Sequence, residues 1–297
     1  MPSRFLSKAL ATAALAVGGV SIYTSWVLSG KFRPEPNYTF SPYEINVDAD
    51  EVTFESSDGV RIAGWWFEDT ASDTVLILSH GHRGDKSSML GLGPKLHLRG
   101  HSVLLFDFRG SGESEDGPRS LAHYEQRDLR AAIDWVAAHR PDAKIVLVGM
   151  SMGAATSLHV GAEDDRVKAL VLDSPFATAD GVVAANLAKF RLPRWPFLGA
   201  TEGITRRHYG WSLQDVRPID VIGNLTQPTL LMHGTHDRIT PFEHSLQLRD
   251  AAKPGVVEYH AFPDADHCGG YFLDRPGYVA RVDDFIRRKL GDEPAAR

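Results

Sequence analysis

Short runs at 74–79, 102–106, 144–148, 167–172 and 229–232 are apolar at nearly every position. Runs of that length without polar alternation suit strands buried on both faces, as in a parallel sheet covered by helices. A further strand is expected at 256–261. The stretches between them predict helices over 87–98, 121–138, 152–161, 241–252 and 278–290. In the second of these, Leu129, Ile133, Val136 and Ala137 recur at three- and four-residue spacing, which makes a buried stripe. Near the start of this pattern, runs at 52–55 and 61–67 are joined through Asp58-Gly59, a hairpin signal. The pattern predicts an α/β fold: an antiparallel hairpin leading into a mostly parallel sheet with helices on both faces.

Two stretches depart from the alternation. Residues 9–29 carry no charge, and as a helix they would be about 31 Å long, enough to cross a bilayer core. Tyr23 and Trp26 near the far end suit the aromatic belt of a membrane interface. Residues 1–30 are therefore expected to be a single-pass membrane anchor. The competing expectation is a signal peptide cut after Ala14-Leu15-Ala16, giving a secreted product whose new terminus would be apolar. Arg4, Lys8 and the amino terminus slightly outweigh Lys31 and Arg33, so the N-terminus is expected inside and the body on the extracytoplasmic side. Residues 31–50, with Pro34, Pro36, Asn37, Pro42 and Asn46, read as a linker before a domain over 51–292. The second departure lies at about 174–218. It holds Phe176, Phe190, Trp195, Phe197, Tyr209 and Trp211 without a β-period, and an insertion this long after a strand end is expected to be a cap over a site.

Charge narrows the partners. The net charge is −6, and the first 33 residues hold four cations and no acid, so the remainder carries −10. An acidic body argues against nucleic acid as a partner, because phosphate binding needs a basic surface. The single cysteine, Cys268, excludes an intrachain disulfide.

The chemistry concentrates at the ends of the predicted strands. Gly149-Met150-Ser151-Met152-Gly153 follows one apolar run and opens a helix, so Ser151 stands at the tip of a sharp strand-to-helix turn. A serine hydroxyl is a poor nucleophile at neutral pH and needs a base within reach and donors for the developing oxyanion. Downstream, the strand ending at Met232 leads into His233-Gly234-Thr235-His236-Asp237, and the last strand leads into Asp264-Ala265-Asp266-His267-Cys268. His267 can take the Ser151 proton while Asp237 holds its other ring nitrogen. His236 is the competing base and helix capping the competing role for Asp237, although Thr240 is better placed to cap a helix starting at Pro241. The amides of Met152 and His82, the latter in the turn His80-Gly81-His82-Arg83-Gly84, are candidate oxyanion donors. Asp264, Asp266 and His267, and likewise His80 with His82, lack the third nitrogen or sulfur ligand of a zinc site, and no metal or other cofactor is assigned. Met150, Phe176, Trp195, Phe197 and Trp211 are candidates to line an apolar acyl pocket.

The run His80-Gly81-His82, then Asp107-Phe108-Arg109-Gly110-Ser111-Gly112-Glu113-Ser114, the Ser151 turn, Asp173-Ser174-Pro175-Phe176, Asp237 and His267 together resemble the α/β-hydrolase superfamily. More narrowly, the chain looks like the bacterial serine-hydrolase branch that includes serine aminopeptidase-like and lysophospholipase-like members, some with an N-terminal membrane anchor. The resemblance covers about residues 50–290. It implies an eight-stranded sheet with a cap after the sixth strand, and hydrolysis of an ester or related acyl substrate, here a small or lipid-like ester. It leaves Asp107, Arg109 and Ser114 as structural residues of the loop after the fourth strand. A peptidase or amidase, a thioesterase, and a non-catalytic membrane scaffold are the competing readings.

Overall fold

The computed structural model describes residues 2–31 and 41–291. In chain order the helices are α1 (Pro2–Ser29), α2 (Gly93–His97), α3 (Glu125–His139), α4 (Met152–Gly161), α5 (Ala179–Lys189), α6 (Arg194–Ile204), α7 (Pro218–Val221), α8 (Glu243–Ala251), α9 (Gly270–Leu273) and α10 (Arg275–Leu290). The strands are β1 (Asp50–Glu55), β2 (Arg61–Phe67), β3 (Thr74–Ser79), β4 (Ser102–Phe106), β5 (Lys144–Met150), β6 (Val167–Asp173), β7 (Thr229–Gly234) and β8 (Val257–Phe262). They form one sheet in the order β1-β2-β4-β3-β5-β6-β7-β8. The β1–β2 and β2–β4 pairs are antiparallel and every other pair is parallel.

Strand parity divides the core into two layers. Val75, Ile77, Leu104, Phe106, Ile145, Leu147, Leu170 and Leu172 point to one face, beneath Leu129, Ile133 and Val136 of α3 and Ala154 and Leu158 of α4. Leu76, Leu78, Val103, Leu105, Val146, Val148 and Val171 point to the other, against Leu96 of α2 and Val282, Phe285 and Ile286 of α10. Because side chains alternate with period two, a continuous apolar strand is the only kind that can feed both layers.

The expected helix over 87–98 is broken. A 3-10 turn (Lys86–Met89) precedes α2, and the chain between them passes Gly91, whose carbonyl accepts from the Tyr271 hydroxyl. The helix expected from 121 starts at α3, because Ser120 and Glu125 close a turn first and Ala122 sits at φ 70. Of the expected linker, Pro34, Pro36 and Asn37 lie outside the described residues. Pro42–Ile45 forms a 3-10 turn capped by Ser41.

The loop after β4 is held by buried charge. Arg109 donates to both carboxylate oxygens of Asp128 and of Asp58 at 2.8–3.1 Å, and its side chain is fully buried. Lys86 reaches Asp107 at 2.7 Å and Glu113 at 2.5 Å, and Ser114 accepts from the Ala63 amide of β2. Arg109→Leu is expected to destabilise the fold by about 3–5 kcal/mol, since it strands the Asp128 carboxylate in the core. Urea unfolding checks this. Arg109→Leu combined with Asp128→Leu should recover much of the loss, and a double variant no more stable than the single would remove the stranded charge as its cause.

Candidate active site

β5 ends in the turn that the glycine-flanked serine predicts. Ser151 stands between β5 and α4 at φ 53 and ψ −114, a backbone that a non-glycine residue holds only at a cost of about 1–3 kcal/mol. Close packing on both sides enforces it. A side chain at Gly149 would meet the backbone of Gly153 and Ala154, and one at Gly153 would collide with the Ser79 carbonyl of β3. The Ser151 amide donates to the Asp173 carbonyl at 2.8 Å, which ties the turn to the end of β6.

Asp237 follows β7 and is buried. Its Oδ1 accepts from the amides of Ile239 and Thr240, both at 2.8 Å. Its Oδ2 accepts from His267 Nδ1 at 2.6 Å and lies 3.2 Å from His233 Nε2. Burial pushes the carboxyl upward, but the hydrogen bonds from His233 and His267 outweigh it and hold the group well below the usual carboxylate range. The capping and catalytic expectations for Asp237 are therefore compatible: one oxygen orders the loop backbone and the other orders two imidazoles. Thr240 caps no helix, since α8 begins at Glu243 and the Thr240 carbonyl accepts from His233. His236, the competing base, is exposed and lies 3.6 Å from Asp264.

The loop carrying His267 is fixed against the serine turn. The Cys268 amide donates to Ser174 Oγ at 3.3 Å, and Ser174 donates to Asp173 Oδ1 at 3.0 Å. Tyr278 of α10 donates to the other Asp173 oxygen at 2.8 Å. The Cys268 thiol faces the Ser151 backbone, and burial, reinforced by the charge of Asp173, pushes its pKa well up. Among the described residues neither the Ser151 hydroxyl nor His267 Nε2 has a hydrogen-bond partner, so they are not bonded to each other here. Such contacts are often long in a substrate-free site and tighten on binding.

The amides of His82 and Met152 have no acceptor among the described residues. The turn that carries His82 abuts the serine: a Cβ on Gly81 would lie 3.5 Å from Ser151 Cβ. His80 Nε2 accepts from the Phe108 amide at 3.0 Å and Nδ1 donates to the Gly81 carbonyl at 2.8 Å, so a neutral ring braces this turn from below. Burial lowers the His80 pKa accordingly.

A cavity of about 660 Å3 opens beside the serine turn. Met150, Gly81 and Cys268 line it, and Ile45, Val47, Leu90, Leu92, Leu98 and Tyr271 are among its other walls. Of the five residues expected to line an acyl pocket, Met150 is on it. Phe176, Phe197 and Trp211 are buried in the same core cluster as the residues of α3 and α4, and Trp195 is 81% exposed. The cap needs these rings to cover its own underside, and the cavity walls come instead from the segment after β3 and from α9. Sequence reasoning also missed His233. Its position four residues before Asp237, at the end of the same strand, was the available signal.

Comparison with known proteins adds three findings. The family profile described as the alpha/beta hydrolase fold matches residues 74–201. The chain is 32% identical to the YfhR protein of Escherichia coli (strain K12), over 82% of this chain and 83% of that one, and 27% identical to YqkD of Bacillus subtilis over 94% of both. Among solved structures it is similar to the Pyrococcus furiosus esterase Pf2001, with a TM-score of 0.73 at 24% identity, over 87% of this chain and 98% of that one.

Proposed function

The chain belongs to the alpha/beta hydrolase fold family, and from that premise we propose that it is a membrane-anchored serine hydrolase of carboxylic esters with an apolar acyl part. The observation that carries this reading is the 2.6 Å bond from His267 Nδ1 to a carboxylate that is itself held by four donors. It fixes the tautomer that leaves Nε2 free to accept a proton.

In the proposed cycle Ser151 Oγ attacks the acyl carbon while His267 Nε2 takes its proton. The carbonyl π-electrons move to oxygen, and the amides of His82 and Met152 stabilise the oxyanion. His267 returns the proton to the leaving alkoxide, giving an alcohol and an acyl-Ser151 ester. Water, deprotonated by the same ring, then releases the carboxylic acid and restores the serine.

The cavity walls support an apolar acyl group. Among the described residues no carboxylate lines the cavity, whereas Lys95 and Arg275 do, held over the rings of Tyr271 and Phe272. A substrate amine would meet no counter-ion there, which favours an esterase over an aminopeptidase. The anchor reading is supported by the bonds at the end of α1. Arg83 donates to the Val27 and Trp26 carbonyls, His82 Nε2 lies 3.2 Å from that of Leu28, and Trp211 donates to Ser29.

A panel of p-nitrophenyl esters from acetyl to dodecanoyl, with aminoacyl amides alongside, tests the reading. Each methylene buried in the cavity is worth up to about 0.8 kcal/mol, so octanoyl should exceed acetyl in kcat/KM by at least about tenfold. A flat profile would remove the cavity from the acyl site. Amides cleaved faster than esters would replace the esterase assignment.

A further inference from the structure

We infer that the cap carries a second membrane contact, in which residues 189–195 seat the catalytic body flush on an anionic lipid surface beside α1. This rests on the reading of α1 as a membrane anchor.

The first observation is one of length. The uncharged run at 9–29 makes about 31 Å of helix, which matches a hydrocarbon core of about 30 Å with nothing to spare. Yet the second half of that run, from residue 17 on, is already docked on the protein. Ser21 Oγ donates to the Phe197 carbonyl at 3.1 Å and Ser25 Oγ to that of Thr201 at 3.3 Å, and both serines are buried. Residues 7–16 are exposed all round. A bilayer deep enough to cover the exposed part of the run therefore reaches the cap, because no spacer separates the two.

The second observation is register. Both serine bonds join residues 176 apart, so α6 runs alongside α1 in the same direction. By that offset the regular part of α6 begins at Pro196, level with residue 20, and residues 189–195 precede it at the end where α1 leaves the protein surface. The third is composition at that level. Residues 189–195 read Lys-Phe-Arg-Leu-Pro-Arg-Trp, with three cations and no acid on a body of net charge −10. Phe190 is 78% and Trp195 81% exposed, the two most exposed aromatic rings of the cap. Ile22 and Tyr23, on the undocked side of α1, are also exposed. Aromatic rings interleaved with cations are what a lipid headgroup layer takes up, the rings entering the acyl boundary while the cations meet phosphate. Arg194 also pairs with Asp180 at 2.5 Å, Lys189 donates to Asn186 and Leu192 packs on the core, but burial does not explain Phe190 and Trp195, whose rings face solvent.

The test uses the full chain reconstituted in phosphatidylcholine vesicles, with and without phosphatidylserine, made from plain or chain-brominated lipid. Tryptophan emission is recorded for the wild type and Trp195→Phe, and their difference isolates Trp195. Bromine should quench more than half of that difference. Lys189→Glu with Arg191→Glu should reduce the quenching, most in vesicles containing phosphatidylserine. Difference emission that bromine leaves untouched, in protein that resists alkaline carbonate extraction, overturns the cap contact and leaves the anchor standing. Unquenched but blue-shifted difference emission would mean that another protein surface covers Trp195, which also overturns it. Release of the wild type by carbonate would overturn the anchor and the inference with it.

Discussion

Asp237→Asn is expected to lower kcat/KM about 1,000- to 10,000-fold. The carboxylate works because it only accepts. Its Oδ1 faces two backbone N–H groups and its Oδ2 faces two imidazole nitrogens. An asparagine must keep its carbonyl oxygen toward Ile239 and Thr240, which turns its NH2 toward His267. The ring can meet a donor only by moving its own proton to Nε2, the nitrogen that should take the Ser151 proton. His233 cannot adapt in the same way, because its Nε2 also lies 2.9 Å from the Thr240 carbonyl and needs its hydrogen. A loss of stability should therefore accompany the loss of activity. The pH dependence provides a second readout. Asp237 is held below its unfolded value, so its contribution to stability is present above the ordinary carboxylate range and fades as pH falls below it. The variant lacks that component and should unfold with a shallower acid dependence. Initial rates on an octanoyl ester and circular dichroism across an acid titration check both. Activity within tenfold of wild type would remove Asp237 from the proposed cycle.

How far the sequence reached depended on whether a signal was local. The central strands are legible because burial on both faces leaves an unbroken apolar run, as in Val75–Leu78 or Ile145–Val148, whereas β1 and β8 are only partly buried and carry mixed residues. Ser151, Asp237 and His267 could be nominated because each follows an expected strand and a parallel sheet brings such ends to a single edge. Helix starts were less legible: the turn closed by Ser120 and Glu125 has the same apolar spacing as the helix after it. The cap aromatics show the limit most clearly. Phe197 and Trp195 lie two residues apart with similar chemistry, yet one is buried beside α1 and the other faces outward. Nothing in the local pattern separates them, because what covers Phe197 is the packing of α6 along α1, where Ser21 reaches the Phe197 carbonyl across 176 positions. The bonds from His82 and Arg83 to the end of α1 were hidden for the same reason.

Ser151→Ala should abolish covalent labelling by a fluorophosphonate and lower ester hydrolysis by about 10,000-fold or more. The residual rate would come from binding and from the His82 and Met152 amides, which the substitution leaves in place. Stability should shift by no more than about 1 kcal/mol, since the serine hydroxyl bonds nothing among the described residues and alanine keeps the same backbone limits. Cys268 makes the labelling informative. Its sulfur faces the Ser151 backbone and is the nearest substitute nucleophile on the His267 loop. Burial and the neighbouring Asp173 keep it a thiol, however, and a thiol is a far weaker nucleophile than its thiolate. The Ser151→Ala protein should therefore stay unlabelled, and adding Cys268→Ala should change nothing further. Labelling that survives the first substitution and vanishes with the second would move the nucleophile to sulfur. Hydrolysis retained above a tenth of wild type in both would discard acyl-enzyme chemistry at this turn.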